Sequence, residues 1–135
     1  MALLELRNVN RRFGGLHAVN QVSFDVSKGQ IKAVIGPNGA GKTTLFNLIA
    51  GTLPLSSGTV RFNGSTISGK KPHQIAGLGI CRTFQNIKLF HGMSVLENVM
   101  VGCHLRSRSG FVSGMLSPPR SRREEKWIRQ EALDL

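Results

Sequence analysis

The sequence predicts an α/β fold, and three observations carry that prediction. Ile31, Ala33, Val34 and Ile35 read as a short buried strand entering a glycine-rich bend, and Thr44 to Ile49 read as a helix leaving it. Earlier in the chain, Val22, Phe24 and Val26 share one face at period two, while Leu4, Leu6 and Val9 alternate in part. Further on, Ser94 and Ser121 each stand three residues before a glutamate, the capping-box spacing that opens helices.

Taken in order, residues 2 to 9 form the first expected strand. Arg11 to Gly15 form a turn with Phe13 at its centre, and Val19 to Val26 form the second strand. Ser27-Lys28-Gly29 turns the chain into the strand that feeds the bend, and Gly51 is placed to end the helix that follows. Pro54 to Gly58 is a loop, Thr59 to Phe62 alternates again, and Asn63-Gly64 is a strong hairpin signal. Residues 65 to 71 are polar and turn-rich. Pro72 suits the first turn of a short helix through Gln74, Ile75 and Ala76, which Gly77-Leu78-Gly79 ends. Ile80 to Phe84 reads as a further strand with Gln85 at its exit. A helix from Ser94 toward Cys103 would carry an apolar stripe of Val95, Leu96, Val99 and Met100. Residues 105 to 120, rich in Ser, Gly, Arg and Pro, read as a loop. A last helix runs from Ser121 to the end, with Trp127, Ile128, Ala132 and Leu135 on one stripe.

The bend carries the chemistry. Gly36 to Thr43 matches G-x-x-x-x-G-K-[ST], a phosphate-binding P-loop. Gly36, Gly39 and Gly41 let the backbone turn tightly and bring its N–H groups close to an anion. The helix beginning near Gly41 points the positive end of its dipole at the same place. Lys42 adds a mobile point charge for the outer phosphates. Thr43 supplies a hydroxyl to Mg²⁺, which keeps water and phosphate oxygens as its other ligands. These residue types suit a nucleoside triphosphate with magnesium.

The totals bound the possibilities. A chain of 135 residues, 40% hydrophobic, holds one ordinary domain with a packed core. Its 18 Lys+Arg against 7 Asp+Glu give a net charge of +11, which favours a polyanionic neighbour without choosing one. The basic residues after position 100 read as a solvated face, since no aromatics interleave them for base stacking, and no nucleic-acid partner is expected. Cys81 and Cys103 lack metal-ligand spacing and read as reduced thiols of a cytosolic protein. His17, His73, His91 and His104 show no metal or triad spacing. No apolar run approaches the ~20 residues of a membrane span, and the N-terminus lacks a signal pattern, so any membrane role would be peripheral.

At this point the sequence resembles the ATP-binding subunits of ABC transporters. Gly36, Pro37, Asn38, Gly39, Ala40, Gly41, Lys42, Thr43 and Thr44 together are the typical wording of their P-loop, and Ile80 to Val99 looks like their Q-loop region. The resemblance implies that Gln85 contacts Mg²⁺ and the attacking water. It likewise implies that Phe13, within a stretch similar to the A-loop, stacks on adenine. Phe13-Gly-Gly-Leu-His-Ala-Val-Asn20 and Arg82-Thr-Phe-Gln-Asn-Ile-Lys-Leu-Phe90 look like the branched-chain amino acid transporter group. The implied fold is the N-terminal half of a P-loop NTPase of the ABC ATPase type. It would comprise an antiparallel β subdomain, a partial parallel sheet and the start of the helical subdomain. Residues 1–84 would be the nucleotide-binding core and 85–135 the Q-loop and the beginning of the helical part. The implied ligands are ATP and Mg²⁺. The implied partners are membrane permease subunits and a second ATP-binding subunit, at the cytoplasmic face of the membrane.

The departures are equally specific. An LSGGQ-type signature, an apolar strand ending in Asp-Glu, a D-loop and a switch histidine are not found, and the five acids after Gln85 all fall in expected helices. The chain therefore reads as a truncated subunit that does not hydrolyse ATP alone, because phosphoryl transfer needs a carboxylate at the metal and water. The competing readings are a small P-loop kinase, against which the match around Gln85 argues, and an ABC-type ATPase for another substrate or associated with nucleic acid, for which the +11 charge would be the footprint.

Overall fold

A computed structural model describes residues 2–83, 89–102 and 119–134. The chain divides into two compact units, Met1–Thr83 and Phe84–Leu135.

The first unit is built on a four-stranded sheet of order β2-β1-β3-β4. β1 (Ala2–Phe13) and β2 (Leu16–Ser27) form an antiparallel hairpin. β3 (Ser57–Phe62) lies antiparallel on the other side of β1, and β4 (Ser65–Thr66) pairs with β3. The Asn63–Gly64 turn between them has both residues left-handed, φ 47° and 77°, the primed geometry that matches strand twist.

The hairpin is longer than its apolar alternation suggests. The expected turn at residues 11–15 shrinks to Gly14–Gly15, with Arg11, Arg12 and Phe13 still paired to Val19, His17 and Leu16. Register shifts between Leu6 and Val9 explain the difference. Asn8 and Gln21 adopt φ 47° and 49° there, held where Asn8 N–H donates to Ser23 Oγ at 2.8 Å and Gln21 N–H to Asn10 Oδ1 at 2.8 Å. Beyond this irregularity the strands pair through the main chain, and side-chain pattern no longer reports them.

α1 (Lys42–Ile49) lays Leu45, Leu48 and Ile49 into a core with Leu6, Val9, Val19, Val60, Ile67 and Ile75. The i, i+3, i+4 spacing puts its three apolar residues on one face, each worth about 1.5–3 kcal/mol for leaving water. The helix ends as expected at Gly51, which has φ 72°. α2 (Pro72–Gly77) starts on its proline, with Lys71 N–H donating to Gln74 Oε1 at 2.9 Å.

Two expected strands do not form. Residues 31–35 make no ladder, and Ile31 and Ile35 are 98% and 91% exposed. A strand needs a neighbouring backbone, and no described residue supplies one here; only Val34 packs on the core. Residues 80–83 likewise pair with nothing as a strand, although Ile80 packs on the core. Phe84 lies outside the described residues.

In the second unit, α3 (Val95–Gly102) packs against α4 (Pro119–Leu133). The capping box forms as its spacing predicts. Ser94 N–H donates to Glu97 Oε2 at 2.7 Å, and Glu97 N–H donates to Ser94 Oγ at 3.3 Å. Of the expected stripe, Leu96, Val99 and Met100 are half-buried, but Val95, at the first helical position, is 84% exposed. α4 opens on Pro119, two residues before the expected Ser121, as proline favours at a first turn. Ala132 is buried and Ile128 half-buried on it, while Trp127 is exposed. The remainder of the 105–120 loop, Cys103 and Leu135 lie outside the described residues.

Candidate nucleotide-binding loop

The glycine bend sits between segment 30–35 and α1. Gly39 and Gly41 are left-handed, φ 85° and 81°. Gly41 is the N-cap of α1, and a Cβ there would lie 2.1 Å from the carbonyl oxygen of Ala18 on β2. Only glycine allows both the left-handed turn and that approach. Ala40 N–H donates to Pro37 O at 3.2 Å, which tightens the bend.

The Lys42 ammonium folds back over the loop, donating to Gly36 O at 2.6 Å and Pro37 O at 2.7 Å. An ammonium has three donors, so one is left for a ligand. Among the described residues no side chain caps the N-terminus of α1, and its first turn holds no acid. Its leading N–H groups and positive dipole end therefore remain available to an anion. Thr43 is exposed and Thr44 half-buried in the same turn.

A cavity of about 640 Å³ opens beside the bend, within the size range of small-molecule sites. His17, Lys32, Ala40, Gly41 and Lys42 are among its lining residues, and no carboxylate is. Lys32 Nζ is held by Asp25 O at 2.6 Å and lies over the Phe24 ring. These features fit a polyphosphate: a turn closed at Gly41 to any Cβ, an uncapped helix start and positive charge with no carboxylate lining the cavity. Among the described residues no group of three His, Cys, Asp or Glu could hold a metal ion. A metal here would take the Thr43 hydroxyl, phosphate and water, which suits Mg²⁺ and not a protein-caged ion.

The structure thus gathers Gly36, Pro37, Asn38, Gly39, Ala40, Gly41, Lys42, Thr43 and Thr44 in one turn. Phe13 stands apart from them at the end of β1, 43% exposed, outside the residues that line the cavity. Gln85 lies outside the described residues. Sequence reasoning missed Ala18 and Lys32. Ala18 touches Gly41 only through the long-range hairpin, while Lys32 could have been read from its place two residues before Val34, on the same face of the expected strand.

The family model described as ABC transporter matches residues 19–134. The high-affinity branched-chain amino acid transport ATP-binding protein BraF of Pseudomonas aeruginosa is 43% identical over 124 residues, covering 92% of this chain and 49% of the relative. LivG of Salmonella typhimurium, described in the same words, is 42% identical over 132 residues, covering 98% and 50%. A solved ATP-binding cassette of an ABC transporter, in its ADP conformation, aligns with a TM-score of 0.70 at 35% identity, covering 88% of this chain and 46% of that one. The chain spans about half the length of the curated relatives it matches. With its glycine bend, helix and sheet laid out as in those cassettes, the chain belongs to the ABC transporter family and has the fold of an ABC ATPase cassette's N-terminal half.

Proposed function

We propose that this chain is the nucleotide-binding part of an ATP-binding subunit that powers import of branched-chain amino acids. The observation that carries the reading is the Lys42 ammonium held over a glycine bend at the uncapped start of α1. Main-chain N–H groups of the bend and of Thr44 receive the phosphates, while Pro37, Asn38 and Ala40 shape the turn. Lys42 neutralises the outer phosphates. Thr43 holds Mg²⁺, joined by Gln85, and Phe13 stacks on the adenine. Residues 1–84 form the nucleotide core and 85–135 the Q-loop with the start of the helical subdomain.

The transported substrate is proposed from the relatives, whose names give branched-chain amino acid transport. Membrane permease subunits and a second ATP-binding subunit are the proposed partners, on the cytoplasmic face. A groove of about 360 Å³ with Leu89, Phe90 and Met93 exposed in it supports a permease contact. No helix among the described residues is long and apolar enough to cross a membrane, which leaves peripheral attachment as the proposed mode.

Calorimetric titration with MgATP tests the reading. Lys42→Ala is expected to weaken binding by about 1.5–3 kcal/mol, the usual worth of a charge-assisted contact. An unchanged affinity removes Lys42, and with it the site.

A further inference from the structure

We infer that Arg11 is a positioning residue for the adenine end of the site, bracing one face of Phe13 so that the other receives the base. The inference rests on the nucleotide reading above. Arg11 and Phe13 are two residues apart on β1 and share a face of the strand. The guanidinium carbon lies 4.5 Å from the centroid of the Phe13 ring, a cation–π contact. The ring is nevertheless 43% exposed, so the contact with Arg11 leaves part of it accessible to a base.

Arg11 is not a freely waving surface cation. It is half-buried, and its Nη1 donates to Pro54 O at 3.0 Å. Its Nε is buried with no hydrogen-bond partner. Burying a donor without a partner is unfavourable. Among the described residues, the ring and the Pro54 carbonyl are therefore what hold the guanidinium in place.

The carbonyl links this platform to the phosphate end. Pro54 follows Thr52 and Leu53, whose N–H groups donate to Asn47 O at 3.0 and 3.2 Å. Asn47 belongs to α1, the helix that Lys42 begins. A continuous set of contacts thus runs from the Phe13 ring through Arg11 and the 52–54 loop to the helix behind the glycine bend. It sets the ring at a fixed distance from the phosphate cradle before any base arrives, which lowers the ordering cost of binding.

The test compares MgATP with magnesium tripolyphosphate, which has the phosphates and no base, on the full chain. Arg11→Ala is expected to weaken ATP about 3- to 5-fold, the size of a partly exposed cation–π contact, and to leave tripolyphosphate unchanged. Arg11→Lys, which keeps stem and charge but not the planar stack, is expected to fall between. In a Phe13→Leu background, Arg11→Ala should have no further effect on ATP. Equal weakening of both ligands, no effect on either, or an effect that survives Phe13→Leu would overturn the inference. Lys42→Ala serves as the control: if it changes neither ligand, or if the unchanged chain binds neither, the nucleotide reading itself has failed.

Discussion

Gly41 carries two demands at once. Its φ of 81° lies where side chains are strained, and a methyl group would press to 2.1 Å from Ala18 O. Gly41→Ala is therefore expected to cost about 1–3 kcal/mol, seen as a lower urea midpoint, because neither backbone can yield without moving α1 or β2. An unaltered midpoint would mean that the bend re-forms around the methyl group. The glycine spacing itself was legible, since G-x-x-x-x-G-K-[ST] is a local pattern. The Ala18 approach was not, because it depends on how a hairpin more than twenty residues upstream folds over the bend. The anchoring of Arg11 was illegible for the same reason: its Nη1 donates to the carbonyl of Pro54, forty-three residues on.

Among elements, local signals held where the partner was also local. Asn63-Gly64, Pro72 and the Ser94–Glu97 pair all formed what their spacing predicted. The strands at 31–35 and 80–83 failed because a ladder depends on neighbours that apolar alternation alone cannot supply. The Ser94 box also makes α3 sensitive to acid. The main-chain N–H of Ser94, and then its hydroxyl, hold the Glu97 carboxyl below the usual carboxylate range. A lowered folded value means that the stabilisation is full above the ordinary carboxylate pKa and fades as pH falls through the folded one. Amide exchange in α3 should therefore quicken in that acid window. Glu97→Gln should flatten the dependence, and a pH response identical in both chains would rule the box out as its cause.

For the whole molecule, the 135 residues are expected to bind nucleotide without steady turnover. On the proposed reading they supply a phosphate cradle, Thr43 and Gln85, yet none of the five acids after Gln85 follows an apolar strand. A phosphate-release assay should give no rate above background, and a rate abolished by Lys42→Ala would show that this loop turns over ATP without such a carboxylate. The antiparallel sheet and α1 share one core, whereas Ile31 and Ile35 are exposed beside the bend.

The lysine folded over its own loop has a further consequence. Lys42 already grips Gly36 and Pro37, so an arriving anion meets a charge that is fastened in place and need not be recruited from solvent. On the proposed reading, the same side chain is a clasp on its own loop and a counter-ion to the phosphates. A cut at this position therefore loosens the receptacle as well as its grip on the guest.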